Sequence, residues 1–337
     1  MFKKKLGFLL GVMVLMSFAG YLVCLAAGSS KQLNKKEEFL LVTSFYPMYV
    51  LAENLTAGTV DVTVSNLTEN QTGCLHDYQL FPEDMIVLSQ ADAFLINGAG
   101  MELFMDKVIK SNTELSIIEA SRGISLLEGV EHHHHEEEDD HESEHENDLE
   151  EAGHDEDSYD DHDHEHDHGA NGHVWMDVER HRAQLAAVTK ELQTLLPKQA
   201  EVLSKAAKVY DEKLMVLAAE AEDLMKHTKG IPVVIFHEAF AYLAESLGME
   251  VLMAFSLDEN NLPSPGEIAE VIEEINYHGT ALILIEEMHA SYADKILAGT
   301  EAQVVYIDPL TTGDGAIDSY LNGMRENLSA IRGVMLQ

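Results

Sequence analysis

The chain has 337 residues, is 46% hydrophobic and carries a formal net charge of −39. That length suits two core-bearing units, since domains run to roughly 100–200 residues, and that charge excludes nucleic acid as a partner while drawing in cations. The excess is local: residues 131 to 168 hold 20 Asp and Glu, no Lys or Arg, and 11 of the 18 His.

At the N-terminus, Lys3, Lys4 and Lys5 precede an apolar run from Leu6 to Ala27. This is the charged region followed by a hydrophobic region of an export signal, so the protein is expected to work outside the cytoplasm. The stretch "YLVCLAAGSSK" admits three endings for residues 1–27: a lipidated Cys24, which we favour, cleavage after "LAA", or a retained spanning anchor. Val23 is larger than the small residue usual before a lipidated Cys. Cys24 and Cys74 are the two cysteines. If Cys24 is acylated or removed, no intramolecular disulfide is possible and the fold rests on its core.

From residue 38 to 130, strand and helix signals alternate. "FLLVTSFY" from Phe39 to Tyr46 reads as a buried strand, and "PMYVLAENLTAG" as a helix with Pro47 at its start and Gly58 at its stop. "VDVTVSNL" from Val60 reads as a strand, "PEDMIVLSQ" from Pro82 as a helix and "ADAFLING" as a third strand. Residues 131–172 contain almost nothing apolar and read as a disordered loop. A long helical stretch follows from Glu179 to about Lys229, within a segment 173–229, with a kink or break expected at Pro197.

From 230 to 337 the alternation returns. The strands are "IPVVIF", "EVLMAF", "ALILIEE" and "AQVVYID"; the helices are "HEAFAYLAESLG", "SPGEIAEVIEEINYHG", "YADKILAG" and a terminal one from about Ala316. The expected fold class is α/β, with two parallel-sheet lobes joined by a long helix.

In open α/β sheets, ligands gather beyond the carboxyl ends of the strands. His76, His237 and Asp308 stand at or near such ends, and His173 stands where the acidic segment gives way to the helical stretch. Taken singly, each has a plain alternative. A His beside a strand end is more often a hydrogen-bonded structural residue, Asp before Pro is a common turn former, and Trp175, the one Trp, fits simple packing.

The motifs "HDYQLFPEDM", "GHVWMDV", "FHEAFAYLAESLG" and "YIDPL", in that order around a His-rich acidic insertion, resemble the zinc-binding members of the metal-specific substrate-binding proteins of ABC importers, a family that includes zinc- and manganese-binding lipoproteins and adhesins. The resemblance spans nearly all of the mature chain. It implies two α/β lobes bridged by a long rigid helix with a metal site in the cleft between them, and a non-enzymatic carrier that captures Zn²⁺ and delivers it to a membrane permease, with His76, His173, His237 and Asp308 as ligands. Leu75 stands where relatives often carry Pro or Glu, so an extra carboxylate ligand is absent, and Val178 replaces a frequent Pro. Manganese-binding relatives tend to place Glu where this chain has His237, and three imidazoles with one carboxylate suit tetrahedral zinc, whereas manganese favours oxygen-rich sites.

Asp77, Glu238, Glu286 and Glu287 are candidates to orient the ligands. His181, His227, His278 and His289 are expected to be solvated. In the loop, His132, His133, His134, His135, His141, His145, His154, His162, His164, His166 and His168 alternate with acids and are expected to bind zinc weakly and in many arrangements, raising the local ion concentration. Two other classes compete: an extracellular metal buffer or adhesin, and a zinc hydrolase. The hydrolase reading lacks an HExxH pair, and a fourth carboxylate would close the site. A monomer is expected.

Overall fold

A computed structural model describes residues 38–68, 75, 78–105, 108, 115–129, 169–255, 263–279 and 282–336. Cys24, Cys74, His76, Asp77 and every His of the acidic segment lie outside the described residues.

The described chain builds two four-stranded sheets. β1 (Phe39–Thr43), β2 (Val62–Asn66), β3 (Ala93–Ile96) and β4 (Ser116–Glu119) stand in the order β2-β1-β3-β4. β5 (Pro232–Ile235), β6 (Glu250–Ala254), β7 (Leu282–Ile285) and β8 (Gln303–Tyr306) repeat that order as β6-β5-β7-β8. β3 runs parallel to β1 and β4, and β5 and β7 run parallel to each other and to their outer neighbours. The helices are α1 (Tyr46–Thr56), α2 (Pro82–Gln90), α3 (Val178–Leu195), α4 (Ala200–Thr228), α5 (Ala239–Ser246), α6 (Pro265–His278), α7 (Ala290–Leu297) and α8 (Ser319–Met335). Parallel strands covered on both faces read as continuous apolar runs, and β7, Leu-Ile-Leu-Ile, is buried at all four positions. One core gathers Val42, Leu88, Phe94 and Met105; the other gathers Val234, Phe236, Val271, Ile283 and Ile296.

Every strand expected from sequence is present, although β1 ends at Thr43 and Tyr46 already opens α1. β4 was not foreseen. Four residues are too few to show a period, and its identity as a strand comes from its partner β3, which pairs Phe94 with Ile117 and Leu95 with Ile118. At Pro197 the helical stretch does not kink but breaks, through a 3-10 turn over Pro197–Gln199. Proline cannot donate its missing N–H, and it biases Leu196 away from helical backbone. The chain then turns back on itself, so that Gln193 Nε2 donates to Ser204 Oγ (2.7 Å) and Arg182 Nε to Asp211 Oδ1 (2.7 Å). α4 alone, about 44 Å long at 1.5 Å per residue, packs against α1 from the first half, α8 from the second, and α3.

His181 corrects an expectation: it is fully buried, not solvated. It shares the inward stripe of α3 with Val178, Leu185, Val188 and Leu192, the spacing of one helix face. Its ring stacks on Tyr320 at 4.1 Å between centroids. His227 and His278 are exposed as expected, and His289 is half-buried.

A buried polar chain ties α3 to the first sheet. Gln184 Nε2 donates to Asn97 Oδ1 (2.8 Å) and Ser121 Oγ (3.2 Å). That turns Gln184 Oε1 toward His181 Nδ1 (3.1 Å), which therefore carries the ring proton, while Nε2 accepts from the Tyr210 hydroxyl (3.3 Å). At the other end, the Glu102 carboxylate accepts from Ser44 Oγ, Asn97 N and Gly98 N at 2.7 to 3.0 Å. Burial pushes His181 down to about 4 and Glu102 up to about 7 despite those three donors.

These two groups act on stability with opposite sign over overlapping ranges. As pH falls from 6.5 towards 4, the unfolded chain takes up a proton that buried His181 refuses, and stability falls. As pH falls from 7 towards 4.5, folded Glu102 binds a proton before the unfolded carboxyl does, and stability rises. Relative to the parent protein, Glu102→Gln should therefore lose stability on acidification, and His181→Gln should gain it. Thermal melts of metal-free protein across this range check the claim; parallel profiles for all three proteins would refute it.

Candidate metal centre

In each sheet the strand order reverses between its two inner strands, and ligand clefts form beyond the carboxyl ends of strands at such a point. In the second sheet these strands are β5 and β7. The chain leaving β5 reaches His237, 5% exposed, and the chain leaving β7 reaches Glu286. Glu286 Oε1 lies 2.8 Å from His237 Nδ1. An ionised carboxylate only accepts, so Nδ1 carries the proton and Nε2 the lone pair.

In the first sheet the corresponding strands are β1 and β3, and the residues just after them, Ser44, Asn97 and Gly98, are the ones bound by Glu102. Asn97 Nδ2 donates onward to Gly172 O (2.8 Å). The turn that bears His173 thus rests on the first sheet's own reversal point. A Cβ on Gly172 would meet Ala99 O at 3.1 Å and Met101 Cε at 3.0 Å, so only glycine sits comfortably there.

His173 is 1% exposed, and the next three residues, Val174, Trp175 and Met176, form a fully buried 3-10 turn. Asn171 Nδ2 donates to Glu238 O (2.8 Å), which fixes its amide so that Oδ1 faces His173. That oxygen accepts from both the His173 backbone N–H (3.0 Å) and Nδ1 (2.9 Å). His173 therefore has the same tautomer as His237. The two rings meet edge to face with centroids 5.0 Å apart.

Asp308 follows β8. Asn327 brackets its backbone, accepting from Asp308 N and donating to Asp308 O, and Asp308 Oδ1 accepts from Leu310 N (2.7 Å). Desolvation in the cleft raises its carboxyl pKa, and the charges of Glu286 and Glu326 raise it further, against the Leu310 bond. The turn-forming role foreseen for Asp308–Pro309 is thus present.

The structure brings His173 and His237 together and places Asp308 within the electrostatic reach of Glu286; His76 lies outside the described residues. Among the described residues, no three or more His, Cys, Asp or Glu side chains gather closely enough to hold a metal. Of the candidate orienting residues, Glu286 holds His237, Glu238 contributes its backbone carbonyl, Glu287 is exposed, and Asp77 is not described.

Sequence reading missed Asn171, Gln184 and Tyr242. Asn171 had a faint signal in "GANGH", an amide two residues before a site His. Tyr242 had none: its hydroxyl donates to Asn171 O (2.7 Å) and accepts from Leu127 N (3.0 Å). Those partners flank the acidic segment, whose two ends are joined by a bridge between Glu128 and Ala170.

Two imidazoles with Nδ1 committed to oxygen acceptors present the donor type that divalent zinc-group metals prefer. None of the described helices is long and apolar enough to cross a membrane.

Comparison with known proteins bears on this arrangement. Residues 41–334 match the model of the family described as zinc-uptake complex component A, periplasmic. The zinc-binding protein AdcA of Streptococcus pyogenes is 26% identical over 328 residues, covering 95% of this chain and 61% of that protein. The chain thus spans about three fifths of the length of such relatives. The high-affinity zinc uptake system protein ZnuA of Bacillus subtilis is 26% identical over 336 residues, 94% of this chain and 95% of its own. Among solved structures, the substrate-binding protein FpvC of Pseudomonas aeruginosa in complex with Ni²⁺ superposes with a TM-score of 0.69 at 19% identity, over 89% of this chain and 97% of that one. The likeness confirms a fold of two α/β lobes. The family is one of transport components, which removes the hydrolase reading. With that match covering nearly the whole of the described fold, the chain belongs to the family of periplasmic zinc-uptake complex components.

Proposed function

We propose that this chain captures Zn²⁺ outside the cytoplasm with His76, His173, His237 and Asp308, and hands it to an ABC permease as a monomer held at the membrane through lipidated Cys24. The observation that carries the reading is the edge-to-face pair of His173 and His237, each with Nδ1 bound to a side-chain oxygen and so with Nε2 as its lone-pair nitrogen. Two further donors complete a tetrahedral set: the carboxylate of Asp308, and an imidazole from His76, which the sequence resemblance assigns. Three nitrogens and one oxygen favour zinc over manganese, which prefers more oxygen. The zinc-binding relatives support the same cargo.

Segment 131–172 serves as a collector. Its imidazoles and carboxylates offer many near-equivalent sets, and each costs ordering entropy, so binding there is weak and fast-exchanging. Because Gly129 N donates to Gly169 O and Asn171 N to Leu127 O, the segment leaves and rejoins the fold just before His173. Zinc held in the segment is therefore held beside the cleft.

Calorimetric zinc titration tests this. His237→Ala should abolish the one tight site and leave the weak ones, whereas deleting residues 131–168, which spares the fixed residues 169–172 that hold the His173 turn, should do the reverse. A tight site that survives His237→Ala, or vanishes with the segment, would refute the division. Glu286→Gln should weaken the tight site by about 10- to 100-fold, the usual cost of losing a group that orients a metal-bound His.

A further inference from the structure

We propose that Trp175 is a positioning residue that sets the zinc preference of the site by aiming the Asp308 carboxylate through a single peptide group. The inference rests on the capture reading above and adds to it a cause of selectivity.

The indole Nε1 donates to Pro309 O at 2.8 Å, across 134 residues of sequence. The N–H of the same peptide group, that of Leu310, donates to Asp308 Oδ1 at 2.7 Å. One rigid plane therefore has its oxygen held by Trp175 and its hydrogen held on the carboxylate. Donation to a peptide oxygen also polarises the N–H opposite it, so the two bonds strengthen each other. The plane is not at rest in a deep minimum of its own, because Leu310 has φ +61°, a left-handed conformation that a non-glycine residue keeps only when its surroundings impose it.

Trp175 is suited to impose it. It is fully buried, its ring meets Phe45 edge-on at 4.9 Å, and its own carbonyl accepts from the Tyr320 hydroxyl at 2.7 Å. Its other neighbour is the His173 ring, 5.2 Å away. The indole thus spans from one ligand-bearing turn to the other.

The carboxylate needs aiming because it has room to turn. A cavity of about 280 Å³, lined in part by Tyr46, Pro47, Asp308, Asp314 and Glu326, opens beside it. With Oδ1 accepting from Leu310, Asp308 has Oδ2 as its stronger ligand for an ion, because an oxygen that already accepts a hydrogen bond is the poorer second donor. One oxygen keeps the ion at four ligands, the geometry of zinc; a carboxylate free to rotate can supply both oxygens, which suits larger, oxygen-seeking ions such as manganese.

The test replaces Trp175, the one Trp in the chain, by 3-benzothienylalanine, which keeps the ring shape and loses the N–H. Zinc and manganese affinities are measured by competition titration, coordination is read from Co²⁺ d–d absorption, and metal-free melting reports on the fold. Loss of one buried hydrogen bond predicts a fall of about tenfold in the zinc-to-manganese affinity ratio, with weaker Co²⁺ bands as the site leaves tetrahedral geometry. Tyr320→Phe, which frees the Trp175 carbonyl but leaves the ring in place, should shift both readings in the same direction and serves if the analogue-bearing chain does not fold.

Tyr46→Phe is the control. The Tyr46 hydroxyl donates to Ser319 Oγ (2.9 Å) and accepts from Gly315 N (3.0 Å), so its loss loosens the far end of the same loop without touching the 309–310 peptide. An unchanged ratio and Co²⁺ spectrum in the analogue and in Tyr320→Phe would overturn the proposal, as would an equal fall in Tyr46→Phe. A parent protein with no tight zinc site would overturn the capture reading itself, and the role of Trp175 with it.

Discussion

Two imidazoles contributed by different halves of the chain have to be held edge to face at 5.0 Å, each with Nδ1 turned to an oxygen acceptor. That is an unfavourable arrangement to maintain. Two buried polar rings that meet this closely each need a partner fixed on another element. The fold answers by giving each Nδ1 proton an oxygen acceptor that is itself fixed. Glu286 is fixed by β7. Asn171 is fixed from across the seam, because its amide N–H₂ is committed to the Glu238 carbonyl at the start of α5. The ring from the first half is therefore oriented by a bond into the second, and separating the two halves would disorder the His173 turn as well as moving it.

The duplicated sheet order explains why the cleft lies where it does. Each sheet presents one reversal point, and the two are joined through the His173 turn, which sits on Asn97 on one side and meets His237 on the other. α4 runs behind both halves with Leu203, Leu214, Leu217 and Leu224 buried along its length. A single unbroken helix packed on α1 and α8 offers no hinge, since bending it would break backbone bonds or expose that stripe. Motion is cheaper in the loop after Asp308. It is held from the first half by a few side-chain bonds, from Trp175, Tyr46 and from Asn54 Nδ2 to Ile317 O. The parts of this architecture that yield most easily are therefore loops and side chains, not the packing of α4 against both halves.

Much of this was legible in the sequence, and the failures share a cause. Apolar runs bounded by Gly and Pro gave the strands and helices, because burial on both sheet faces leaves a signal within a few consecutive residues. His237 and Asp308 were visible because each directly follows such a run. β4 was not visible, because it is a strand only by virtue of β3 beside it. Nor was the hairpin at Pro197: the residue announces a break but not the direction in which the chain continues. His181 was misjudged because a His in a charged helix suggests solvent, although its spacing from Val178 and Leu185 already placed it on the inner face. Asn171, Gln184 and Tyr242 act through partners distant in sequence, and one chain read alone carries no trace of such pairings.

What prepares His173 for an ion is its backbone, since the side chain is an ordinary imidazole. Any imidazole binds zinc, but one that must first be ordered loses part of that gain to conformational entropy, on the order of 1–2 kcal/mol for each backbone residue fixed. For His173 that cost has been met by folding. The bonds that meet it are modest and local: Gly129 to Gly169, Asn171 to Leu127, and the Tyr242 hydroxyl bridging both strands at the point where the acidic segment closes. Beyond that neck comes Gly172, pressed against Ala99 because it has no side chain, and then three residues with no exposed surface. The backbone that carries His173 is therefore fixed within the four residues from Gly169 to Gly172, where composition shifts from acid and imidazole to Gly, Ala and Asn.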